Sequence, residues 1–171
     1  MSGLGHLNSL PRDAALAALA RCCGASAWAV AMLDERPFAD EAALFEAAER
    51  AWAALPPEDR LEAFRHHPRI GELSALREKF ASTAGWAAGE QAGAAAASEE
   101  TLRALAEGNA EYERRFGYLF IVCATGRSAA EMLALLRARL GNPPVEELAV
   151  ASAEQARITR LRLEKLLREG P

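Results

Sequence analysis

Apolar side chains recur along this chain at intervals of three and four residues, and almost nowhere do they alternate with polar ones. The first spacing lines one face of an α-helix and the second one face of a strand. The pattern therefore predicts helix after helix. A first helix opens at Ser9-Leu10-Pro11, carries Leu16 and Leu19, and stops at Gly24; Ser26 is a second candidate cap, ahead of Trp28, Met32 and Leu33. Arg36-Pro37 interrupts, because the proline ring disfavours helical backbone in the residue before it. From Asp40, the residues Leu44, Phe45, Ala48, Trp52 and Leu55 share a face that ends at Pro56-Pro57, and a short helix over 58–66 follows.

Beyond Pro68 the pattern is less regular until Ser98. The alanine run at 94–97 reads as helix, since alanine has the highest helix propensity, with Ser98 ending one segment and capping the next. Leu102, Leu105, Asn109 and Tyr112 recur at helical spacing, as do Met132, Leu133, Leu136 and Leu140, which Gly141-Asn142-Pro143-Pro144 closes. A last helix is expected over 145–167. The run Tyr118-Leu119-Phe120-Ile121-Val122-Cys123-Ala124, between Gly117 and Gly126, has the β-branched and aromatic composition of a buried strand. No second strand is available to pair with it, and an isolated strand would bury unpaired backbone groups. It is expected to be a central buried helix.

A length of 171 residues suits one core, and no repeat or linker divides the chain. The expectation is a single all-α domain over 1–171, a compact bundle around a small ligand cavity. Alanine supplies 40 of the 171 residues, so the helices must pack closely. The formal charge is −4 and the isoelectric point about 5.5, which gives no basic face for a phosphate backbone, and nucleic acid is not an expected partner. No apolar run approaches the roughly 18–20 residues that span a bilayer, so no membrane is expected. The start MSGLGHLNSL lacks the order of a signal peptide and the end Arg168-Glu169-Gly170-Pro171 is no peroxisomal address, so a soluble, cytoplasmic protein is expected. Cys22, Cys23 and Cys123 make no C-x-x-C pair and read as reduced, buried small hydrophobes.

Three places could carry chemistry. In Phe64-Arg65-His66-His67-Pro68-Arg69-Ile70-Gly71-Glu72, Pro68 stops a helix directly after a histidine, so the His67 ring can project from a helix end into a cavity. The alternative is a satisfied core or cap histidine. Glu62 and His66, four residues apart, could join His67 or Glu72 around a metal, but a solvated surface pair explains them better; no metal is expected. In Trp86-Ala87-Ala88-Gly89-Glu90-Gln91-Ala92-Gly93, small neighbours would let a ligand approach the Glu90 carboxylate, which could also be a glutamate at a helix start. Arg162, between Ile158 and Leu166 at steps of four, falls in an apolar stripe, whereas Arg160 and Glu164 pair on the wet face. Its guanidinium either finds an internal carboxylate, awaits an anionic ligand, or merely covers the edge of the stripe.

Taken together these residues resemble the family of decarboxylases acting on 2-oxo-4-hydroxy-4-carboxy-5-ureidoimidazoline (OHCU) in urate degradation. The resemblance runs over nearly the whole chain: Cys22-Cys23-Gly24 with Trp28, Arg36-Pro37-Phe38, His67-Pro68-Arg69-Ile70-Gly71, Glu90-Gln91-Ala92-Gly93, Asn109 and Tyr112, Phe116-Gly117 through Ala124, Gly126-Arg127-Ser128, and Arg162-Leu163. It implies an all-helical, cofactor-free lyase of purine catabolism, working as a homodimer on a small-molecule substrate and forming S-allantoin. By the same resemblance His67 is the catalytic histidine, Pro68 its positioner, Glu90 the carboxylate that holds the ligand, and Arg162 a cation near its anionic or carbonyl edge. Backbone groups around Ile121 would contact the ring. Family members often carry serine three residues before the glutamate, where this chain has Ala87. Two other readings compete: a helical interaction module without catalysis, and a small oxidoreductase using cysteine and histidine.

Overall fold

The computed structural model describes residues 2–68 and 94–170, which hold eight helices and no strand. In chain order these are α1 (Gly3–Ser9), α2 (Arg12–Cys22), α3 (Ser26–Asp34), α4 (Glu41–Ala53), α5 (Pro57–Arg65), α6 (Ala94–Phe116), α7 (Ala129–Leu140) and α8 (Pro144–Glu169). Every regular element among the described residues is a helix, as the all-α expectation requires. The chain divides into two compact units.

One unit contains the chain up to His67, Ile121–Cys123, and α8 from Val150 onward. Here α2 packs on α3, and α3 on α4 and α5. The expected start at Asp40 is a true cap: its carboxylate accepts the Ala43 N–H at 2.8 Å, and Leu44, Ala48 and Trp52 bury the face that follows. The buried indoles keep their N–H groups paired, Trp28 to the Ala48 carbonyl at 3.1 Å and Trp52 to that of Ser152 at 3.0 Å. Arg36-Pro37-Phe38 is a clasp for α1. Asn8 and the Phe38 backbone exchange two hydrogen bonds of 2.9 Å, and Arg36 donates to the carbonyls of Leu7 and Leu10.

Two expected caps are corrected in this unit. Ser9 ends α1, its hydroxyl donating to the His6 carbonyl, and Pro11 precedes α2. The short α1 was not expected, because its composition carries little helical signal; tertiary packing holds it, with Gly3 so close to the Leu167 backbone that no side chain fits. Ser26 is the first residue of α3 and not its cap. The free amide at that end is served from another helix: Glu62 in α5 accepts the Ser26 N–H at 2.5 Å and its hydroxyl at 3.2 Å. Glu62 thus caps α3 from another helix.

The second unit contains the described residues of Pro68–Phe120 and Ala124–Ala149, with α6 packed on α7. Leu102, Leu105, Tyr112, Met132, Leu133 and Leu136 are buried as the spacing predicts. α6 runs unbroken through Ser98, so no helix ends or begins at the expected boundary there. The acid–base core of this unit is a buried network around Glu147, whose carboxylate accepts from the Tyr112 hydroxyl at 2.5 Å, Arg139 Nε at 2.6 Å and Asn142 at 2.9 Å.

The apolar run expected as a central helix is not one. Residues 119–124 form neither helix nor strand. Gly117 ends α6 with φ 81°, a left-handed conformation that glycine adopts without steric cost, and Gly126 turns the chain again at φ 76°. Eight residues between two such breaks offer few i to i−4 bonds against the cost of nucleation. Alternate side chains are used instead: Tyr118 and Phe120 meet the Tyr112 ring at 5.8 and 5.3 Å, while Ile121 between them and Val122 is buried.

Candidate active site

The site is built where α5 ends. Its last turn tightens, His66 N–H reaching the Ala63 carbonyl and His67 N–H that of Phe64 at 3.3 Å. Pro68 has no N–H to extend the helix, so His67 is held at the break. The ring is half-buried, and its Nε2 lies 2.5 Å from Gln155 Oε1 in α8. Gln155 is fully buried and passes a second bond on, from its Nε2 to Thr159 Oγ1 at 3.1 Å. The Thr159 hydroxyl and the Ala25 N–H both favour the charged form of the Cys23 thiol, and burial outweighs them.

Burial lowers the pKa of His67, and the nearby charges of Arg162 and His66 act in the same direction, outweighing the bond to Gln155. The imidazole is therefore neutral at neutral pH and has one nitrogen able to accept a proton. Burial also raises both thiols, Cys22 to about 11 and Cys23 in the same direction, despite the guanidinium of Arg162. Neither is a thiolate near neutral pH, which disfavours the cysteine oxidoreductase reading.

Arg162 lies at the edge of the buried stripe of α8, not within it. The stripe is Ala151, Gln155, Thr159 and Leu163, one turn-step from the expected Ile158, Arg162 and Leu166, of which only Leu166 is buried. Arg162 Nη1 is 3.5 Å from the Cys22 carbonyl, at the C-terminus of α2, where free carbonyls favour a cation. Arg160 pairs with Glu164 at 3.2 Å as expected.

His67 and Arg162 thus belong to one unit, close enough for the cation to act on the ring. Ile121 belongs to the same unit and is buried; Pro68 is exposed. Glu90 and Ala87 lie outside the described residues, as does 69–72. The sequence reading missed Gln155 and Thr159. The signal was there: two polar residues four apart, between Ala151 and Leu163, on what is otherwise an apolar face. A recess of about 130 Å3 between α4 and α8, with Phe45, Trp52, Thr159 and Arg160 on its walls, does not include His67 or Arg162 in its lining.

Among the described residues the fold is all-helical, and one helix ends on a neutral imidazole held by Gln155 and near a guanidinium. The family model described as OHCU decarboxylase matches residues 8–164, and the chain belongs to that family. It is 39% identical over 148 residues to the uric acid degradation bifunctional protein TTL of Arabidopsis thaliana, a match covering 85% of this chain and 45% of that protein. The chain thus spans less than half the length of the plant protein. It is 32% identical over 150 residues to the 2-oxo-4-hydroxy-4-carboxy-5-ureidoimidazoline decarboxylase of Bos taurus, covering 84% of each. Its fold matches a crystal structure of OHCU decarboxylase in the presence of (S)-allantoin with a TM-score of 0.70 and 36% identity, over 88% of this chain and 96% of that one.

Proposed function

We propose that this protein removes carbon dioxide from 2-oxo-4-hydroxy-4-carboxy-5-ureidoimidazoline to give S-allantoin, with no metal or organic cofactor. The observation that carries this reading is the neutral His67 ring fixed by Gln155 beside Arg162, in a chain of the OHCU decarboxylase family. Breaking the bond to the carboxylate leaves an electron pair on a ring carbon. The adjacent imidazoline C=N accepts that pair, so the substrate is its own electron sink. The ring nitrogen that receives the pair takes a proton, the ring hydroxyl then gives up its own to become a carbonyl, and the neighbouring ring carbon takes one.

The protein's part is orientation and placement of charge. His67 accepts a hydrogen bond from the hydroxyl and takes part in the proton transfer. Glu90 orients the ureido group or the histidine, and Arg162 neutralises charge developing on a ring carbonyl. Pro68 sets the direction of His67, and backbone groups around Ile121 contact the ring. Ala87 supplies no hydroxyl where relatives often do, which removes one substrate hydrogen bond worth about 0.5–1.5 kcal/mol. Delivery of the proton to a single face makes the product chiral. The chain works as one domain over 1–171, as a cytoplasmic homodimer on a small-molecule substrate. The span of the family match across both units supports the first of these.

The test is a stereospecific assay on freshly generated urate oxidation product after its ring-opening hydrolysis. Carbon dioxide release with optically active allantoin is expected from the native chain. Near-normal turnover in His67→Ala overturns the mechanism, and no turnover by the native chain favours an interaction module.

A further inference from the structure

We propose that Gln155 is the positioning residue of this site: it turns the His67 ring so that Nε2 donates inward and Nδ1 is presented to the reacting molecule as the proton acceptor. The proposal rests on the reading of His67 as the acid–base group. Gln155 is fully buried, so both ends of its amide need partners. Its Nε2 donates to Thr159 Oγ1 at 3.1 Å, and Thr159 is itself buried. That leaves Oε1 for the histidine, 2.5 Å away, and an amide oxygen can only accept. With the amide oxygen facing the ring, the neutral imidazole carries its proton on Nε2. Nδ1 of His67 has no hydrogen-bond partner among the described residues.

The choice of glutamine has a reason. A carboxylate in its place would hold the same nitrogen but stabilise the imidazolium, and a base must stay neutral to act. Glutamine fixes the ring without adding charge. The charged and titratable groups that bear on the ring are Arg162 from α8 and His66 from its own turn; Cys23 lies behind Thr159, and Glu62 of α5 acts on Cys23.

Long-range 1H–15N correlation spectra of the full chain, with His67 assigned by its loss in His67→Ala, test this directly. In the native protein Nε2 is expected to carry the proton and Nδ1 to be bare. In Gln155→Leu the ring signals should move to those of a freely exchanging imidazole, with kcat falling roughly 10- to 100-fold and KM changing far less. Gln155→Glu should restore the ring orientation while moving the His67 titration, and the acid limb of the kcat profile, upward together. A proton on Nδ1 in the native protein overturns the proposal. So does Gln155→Leu with unchanged ring signals and kcat, or Gln155→Glu with an unmoved titration. If Gln155→Leu does not fold, the native and Gln155→Glu spectra still decide. A native chain that shows the expected ring state but no decarboxylation supports the positioning role and overturns the proposed reaction instead.

Discussion

A methyl group on Gly24 would sit 2.5 Å from Cβ of His66. Carbon atoms do not approach so closely without bonding, and the loop between α2 and α3 therefore needs a residue without a side chain to lie against the turn that presents His67. Cys22-Cys23-Gly24 and His66-His67 are far apart in sequence and form one junction in space. Gly24→Ala must push this turn away. A loss of about 1–3 kcal/mol in stability is expected, typical of forced overpacking, with a larger fall in kcat than Gly3→Ala would cause at equal destabilisation. Denaturant melts paired with the decarboxylation assay check both.

The pH response follows from the depressed pKa of His67. Its unfolded value is about 6.5 and its folded value lies below that, so the folded state resists the proton that the unfolded chain accepts. The stability this group contributes is complete above the unfolded value and is lost as pH falls through the folded one. Activity that needs the neutral ring should follow, staying above half-maximal at pH about 6.5 and failing only below it. A kcat/KM profile with its acid limb above that value would contradict the assignment.

Glu62 predicts a second acid transition. The Ser26 N–H holds its carboxyl below the ordinary range, ahead of the opposing effect of burial. Its contribution is present above the unfolded pKa and disappears as pH drops through the lower folded value. Glu62→Ala should cost roughly 0.5–2 kcal/mol, as loss of a helix cap does, while Ser26→Ala, which keeps the N–H, should cost less. Urea titrations of both variants would show whether the backbone amide is the partner that matters.

In the other unit, burial and the bond to Glu147 push the Tyr112 phenol far up, so it remains a donor at any physiological pH. Arg139→Ala would leave the Glu147 carboxylate buried without its cation, and a loss of about 3–5 kcal/mol is expected. Replacing the pair together, Arg139→Met with Glu147→Gln, should recover part of it. Thermal melts of the single and double variants decide, since additive losses would mean the two residues do not act as a pair.

The thiols offer a chemical check. Cys22 and Cys23 are buried and protonated at neutral pH, whereas Cys123 is half-buried. Under native conditions a disulfide reagent at pH 7 should modify Cys123 first, and modification of all three at one rate would place the α2–α3 junction elsewhere than in the core.

The helices were legible in the chain because helical periodicity is local. Leu44, Ala48 and Trp52, or Leu102, Leu105 and Tyr112, need only their own spacing to declare a face, and prolines at 37, 57 and 144 mark breaks by their missing N–H. The break after His67 was legible for the same reason. Composition failed where two local tendencies were balanced, as in 118–124, whose glycines at either end acquire their meaning only through positive φ.

What the amino-acid order determined by itself was the all-helical class, most helix limits, and the placement of His67 at a helix end. The tertiary structure alone decided which residues serve that ring. Gln155 is 88 positions away and Glu62 caps a helix 36 positions back. Such partnerships rest on hydrogen-bond geometry over a few ångströms, and spacing along one helix carries no information about which side chain a different helix will bring within reach.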